Sequence, residues 1–77
     1  MAKYEKGDYV KAVFNDERTG QSESMWVKVQ SADDEFRVVF GRLDNEPIVN
    51  PDLRLGMELA VSYDLIREHL KPSSLDQ

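Results

Sequence analysis

The stretch Ser24-Met25-Trp26-Val27-Lys28-Val29-Gln30, then Ser31-Ala32-Asp33-Asp34-Glu35, then Phe36-Arg37-Val38-Val39-Phe40-Gly41-Arg42-Leu43-Asp44-Asn45-Glu46-Pro47, decides the fold class. Met25, Val27 and Val29 alternate with Trp26, Lys28 and Gln30. A period of two marks a half-buried strand. Phe36, Val38 and Phe40 alternate with Arg37, Val39 and Gly41 in the second run. β-branched and aromatic residues suit a pleated surface in both. The acidic pentapeptide between them lacks apolar periodicity and holds turn formers, so a hairpin is expected. The pattern places Met25, Val27 and Val29 with Phe36, Val38 and Phe40 on the core face, and Trp26, Val39 and Leu43 on the other. A curled sheet or barrel would cover that second face. Gly41 interrupts the strand and marks a bend or bulge, with close approach of a ligand backbone as the functional alternative.

Working outward, Val10, Ala12 and Phe14 alternate within Asp8–Phe14, which predicts a first strand. Residues 15–23 are polar around Gly20 and read as a loop or wide hairpin connection. Residues 44–56 hold Pro47, Pro51 and Gly56, which argue against a helix or a central strand. Ile48-Val49 reads as a short edge strand or a loop anchor, and Leu53 and Leu55 as pins to the core. Met57, Leu59 and Val61 give a last strand. Ser62 is an N-cap candidate, Asp64 suits a first helical turn, and Leu65, Ile66, His69 and Leu70 form a stripe before Pro72. A short C-terminal helix is expected there, then a flexible tail over 73–77. The expected architecture is mainly β. It is a small SH3-like antiparallel barrel or curled sheet of four to five strands, in one domain over 1–72, with a small α+β fold as the alternative.

Seventy-seven residues with 40% hydrophobic and 32% charged residues suffice for one thin core. The chain has no cysteine and one histidine, so disulfides, thiolate metal sites and His-rich zinc sites are excluded. The net charge of −5 and the scattered distribution of ten Lys and Arg argue against nucleic acid as partner. Met1-Ala2-Lys3-Tyr4-Glu5-Lys6 has no apolar h-region, and no run approaches the ~18–20 residues of a spanning helix. A cytoplasmic, non-membrane protein is expected, with self-association as a route to extra stability.

Residues 25–69 resemble the YegJ-like family of small bacterial domains of unknown function. The likeness lies in Trp26-Val27-Lys28-Val29, in Gly41-Arg42-Leu43-Asp44-Asn45-Glu46-Pro47 after Phe40, and in Leu55-Gly56-Met57-Glu58-Leu59-Ala60-Val61 followed by Ile66. Where that family often carries a tryptophan near its end, this chain has Arg67-Glu68-His69. The resemblance implies a fold unit and imports no mechanism.

The candidate binding residues are Trp26, Arg42, Asn45 and Pro47. Arg42 and Asn45 supply hydrogen-bond donors beside an aromatic anchor. Each has a plainer structural reading: Trp26 as core, Asn45 as a turn cap, Pro47 as a stiffener and Arg42 at a solvated strand end. Asp33-Asp34-Glu35 lacks the alternating spacing of a calcium loop and reads as a solvated turn. His69 near Ser62, Asp64 and Glu68 forms no catalytic constellation, and no nucleophile elbow or phosphate loop occurs. No catalytic residue, metal ligand or cofactor is assigned. The function expected is a protein-interaction or accessory module. The alternatives are an acidic inhibitor or immunity-type protein masking a basic site, and a small-molecule-binding barrel or hydrolase.

Overall fold

The computed structural model describes residues 3–47 and 52–72. They form one antiparallel sheet of five strands: β1 (Tyr9–Asp16), β2 (Gln21–Asp33), β3 (Val38–Leu43), β4 (Glu58–Ser62) and β5 (Ile66–Leu70). The order across the sheet is β4-β3-β2-β1-β5. Successive strands are thus neighbours until the last, which crosses to the free edge of β1.

That crossing forces curvature. Only the 3-10 turn Tyr63–Leu65 separates β4 from β5, although they are the two outer strands. Four residues of extended chain reach at most ~14 Å, and a 3-10 turn rises only ~2 Å per residue. In a flat sheet the outer strands would lie four spacings apart, ~19 Å. The sheet therefore curls until its edges approach at this end, without closing into a barrel.

The curl encloses one core. Val10, Ala12, Met25, Val27, Val29, Val39 and Leu43 are all buried, with Val61, Tyr63 and Tyr4 completing the cluster. Strand alternation supplies it: Val10 and Ala12 point inward from β1, Met25, Val27 and Val29 from β2, and Val39 and Leu43 from β3.

The inward face of β3 differs from the sequence expectation. Val39, Gly41 and Leu43 are buried, whereas Phe40 is 44% exposed and Phe36 is 76% exposed. Phe36 lies in the turn between β2 and β3. Both parities of this run are apolar, so periodicity could not choose between them. Contact with β2 chooses. Gly41 sits opposite Val29, and a Cβ there would come within 2.3 Å of the Lys28 carbonyl oxygen. Only glycine fits, and it carries Val39 and Leu43 to the same side. Between Val29 and Ser31 the register shifts, because Gln30 is an extra residue on β2. This bulge reverses the alternation of β2, so that Ala32 packs on the core. The bend expected at Gly41 is thus a close approach of two strands beside a bulge.

Three further expectations change. Residues 15–23 are a tight hairpin: Asp16 pairs with Gln21, and the Gly20 N–H bonds the Asp16 carbonyl at 2.8 Å. Gly20 takes φ +73°, which closes the turn. The expected C-terminal helix shrinks to the Tyr63–Leu65 turn, and Ile66–Leu70 is strand. Ser62 does cap that turn, accepting from the Asp64 N–H at 3.2 Å. Pairing with the open edge of β1 engages Ile66, Glu68, His69 and Leu70 and outweighs a weak helical stripe. Leu55 is 59% exposed, whereas Leu53 packs against the core. Ile48, Val49 and the tail 73–77 lie outside the described residues.

Candidate functional site

The outer face of the sheet carries two ordered rows. Across β5, β1, β2, β3 and β4, the register aligns Leu70, Tyr9, Lys28, Arg42 and Glu58. The adjacent row aligns Glu68, Lys11 and Trp26. Directly opposed side chains on one face lie ~5 Å apart, so the aromatic and cationic groups interleave. The Lys28 ammonium sits 5.9 Å from the centre of the Tyr9 ring, and the Lys11 ammonium 5.8 Å from the Trp26 ring. Both are cation–π distances.

Two grooves flank these rows. The larger, about 520 Å³, is lined by Lys6, Gly7, Lys28, Val29, Gln30 and Arg42. The second, about 340 Å³, is lined by Tyr9, Trp26, Asp44 and Leu70. Lys28 joins them, because it lines the first and covers Tyr9 in the second. The bulge at Gln30 shapes the first groove, and the Gly7 N–H closes its floor by bonding the Val29 carbonyl at 2.9 Å.

The four residues singled out from sequence are only partly brought together. Trp26 is half-buried on the outer face rather than in the core. Its backbone N–H donates to Asn45 Oδ1, and its carbonyl accepts from the Asp44 N–H at 2.8 Å. Asn45 therefore anchors the loop to β2, and its side-chain oxygen is occupied. Arg42 lies in the neighbouring row, donating to the Gly56 carbonyl at 3.1 Å and facing Glu58 at 3.6 Å. Pro47 is half-buried and lines neither groove. Tyr9, Lys28, Lys6 and Leu70 were missed. The alternation of Tyr9 against Val10, and of Lys28 against Val27, was legible. Their juxtaposition depends on register, which one sequence does not print.

A second polar cluster secures the N-terminal segment. The Asp8 carboxylate is 2% exposed and accepts from Glu5 N–H at 3.1 Å, His69 Nε2 at 2.7 Å and Lys71 Nζ at 3.2 Å. Burial pushes its carboxyl up, but the bonds from His69, Glu5 and Lys71 outweigh that and hold it below the ordinary carboxylate value. His69 thus meets Asp8, 61 residues away, rather than Ser62, Asp64 or Glu68. Tyr4 stacks edge-on against both Tyr63 and His69, with centroids 4.9 and 4.8 Å apart. The Tyr63 hydroxyl donates to Asp34 Oδ1 at 2.6 Å, and the Lys3 N–H donates to the same carboxylate. Burial first, and then the Asp34 bond, push the Tyr63 hydroxyl up to about 12. The acidic turn is accordingly structural. Asp33 Oδ1 accepts from Glu35 and Phe36 N–H, and Asp34 ties the turn to Tyr63.

Among the described residues, no group of three His, Cys, Asp or Glu side chains could hold a metal ion, and no helix is long and apolar enough to cross a membrane. No family model, curated protein or solved structure matches this chain.

Proposed function

We propose that the protein is a protein-interaction module that binds its partner through the outer face built from Tyr9, Trp26, Lys28 and Arg42. The observation that carries this reading is the row Tyr9–Lys28–Arg42, flanked by two grooves on a rigid sheet. Aromatic residues and arginine dominate binding energy at protein interfaces. A sheet fixes their spacing without loss of backbone freedom on binding. Arg42 belongs to the surface, Asn45 supports it from the adjoining loop, and Pro47 lines neither groove.

The acidic-inhibitor reading ranks below this one. It needs carboxylates available to a basic site, and several here are engaged internally. Glu68 pairs with Lys11 at 3.4 Å, Asp64 with Arg37 at 2.8 Å, and Asp52 with Arg18 at 3.0 Å. A small-molecule barrel or hydrolase needs a concave apolar pocket with converging polar groups, and the inside of the curl has no room for one. The interior is filled by Val10, Met25, Val27, Val29 and Val39, each at most 1% exposed, and both grooves lie outside it.

The test is affinity capture of partners from source-cell lysate with the full chain and with Lys28→Glu. A partner held by the parent protein and lost from the folded variant supports the reading. Identical capture by both moves the interface elsewhere.

A further inference from the structure

The two grooves differ in chemistry, and the difference specifies an occupant. The protein carries a net charge of −5. Yet, among the described residues, the larger groove is lined by three cations, Lys6, Lys28 and Arg42, and by no acid. Lys6 and Lys28 hold no ion pair among the described residues. Arg42 spends part of its guanidinium on Gly56 and Glu58, which leaves donors in its fork unspent. The second groove presents Tyr9, Trp26 and Leu70, a surface for one aliphatic side chain.

We infer that the occupant is an extended peptide segment that places a carboxylate against Lys6 and Lys28 and an aliphatic side chain between Tyr9, Trp26 and Leu70. This rests on the interaction-module reading. The spacing fits a strand-like ligand. The grooves adjoin across Lys28, and same-side residues of an extended chain are ~7 Å apart, so the acid and the aliphatic residue stand two positions apart. Charge complementarity also sets the length. Glu58 closes the first row beyond Arg42, Glu68 closes the second beside Lys11, and Asp44 lines the aromatic groove. These acids bound the positive strip, so it fits a short acidic segment and repels a long polyanion such as single-stranded nucleic acid.

The decisive experiment uses the full chain and its single tryptophan, Trp26, as the reporter. A short synthetic peptide with glutamates two positions from leucine, and without aromatic residues, is titrated while Trp26 emission is followed. Saturable binding is expected, weakened about tenfold or more by replacing glutamate with glutamine or by Lys28→Glu, whose fold is checked by an unchanged melting temperature. Raising ionic strength from roughly 0.01 to 0.15 M, which shortens the Debye length from ~30 to ~8 Å, should weaken it several-fold. Equal binding of the glutamine peptide overturns the inference. So does tighter binding of an oligothymidylate that displaces the peptide. Absence of peptide binding, while Lys28→Glu still abolishes partner capture, overturns the acidic-peptide occupant and leaves the interaction module standing.

Discussion

Gly41 and Lys28 lie so close across the β2–β3 ladder that the Lys28 carbonyl oxygen occupies the place of any side chain at position 41, at 2.3 Å from an added Cβ. This contact links fold to site. It fixes the inward face of β3, and it seats the strand segment from which Lys28 projects between Tyr9 and Arg42.

Gly41→Ala should therefore be costly. The obstacle is backbone, with the Val27 Cγ1 a further 2.9 Å neighbour, so neither can swing aside cheaply. A loss of about 1–3 kcal/mol, the usual range for overpacking, is expected in denaturant unfolding. A neutral substitution would mean that the strands separate freely at this point.

Burial along this run sets Phe36, in the β2–β3 turn, against Val39, on β3. Phe36 is 76% exposed and Val39 is fully buried. Phe36→Ala should change stability by no more than ~0.5 kcal/mol, whereas Val39→Ala should cost ~1–3 kcal/mol. Chemical denaturation of both variants distinguishes this arrangement from its mirror, in which the phenylalanine would be the costly loss.

Acid should weaken the fold through Asp8. Its carboxyl is held below the ordinary value in the folded state, so its contribution is present above the unfolded value near ~3.9 and is lost as pH falls through the folded one. Melting temperature should decline through this window in the parent protein and decline less in Asp8→Asn. The variant should also be less stable at neutral pH by about 1–3 kcal/mol, because His69 and Lys71 lose their charged acceptor. Parallel acid limbs would contradict the role given to Asp8.

At the alkaline end the sign reverses. The Tyr63 hydroxyl is raised to about 12, so its share of stability is intact below ~10 and disappears as pH climbs through the folded value. A tyrosinate absorbance titration should show a step near 12 that Tyr63→Phe removes. Persistence of the step in the variant would show that Tyr63 is not its origin.

Much of the sheet was legible because β1, β4 and the Met25–Val29 part of β2 alternate cleanly. Val10 with Ala12, Met25 with Val27 and Val29, and Leu59 with Val61 each point one way. Legibility failed where local signals tie or compete. Phe36–Leu43 is apolar in both parities, and only a contact with Lys28 breaks the tie. Residues 62–70 begin with a sound N-cap and carry a faint helical stripe, yet the unpaired edge of β1 captures Ile66–Leu70 as strand. At the site, Trp26 and Arg42 stood out by type, while Tyr9 and Lys28 became notable only when register set them side by side. Asp8 and His69 are 61 residues apart, and no local pattern announces their bond.

The most direct test of the binding face is residue-resolved amide-shift mapping on the isotope-labelled protein as the glutamate–leucine peptide is added. The structure predicts a contiguous set of shifts at Tyr9, Trp26, Lys28, Arg42 and Leu70, with Phe36 and Asp64 unmoved. Shifts confined to the β2–β3 turn around Phe36, with the Tyr9–Lys28–Arg42 row silent, would contradict it.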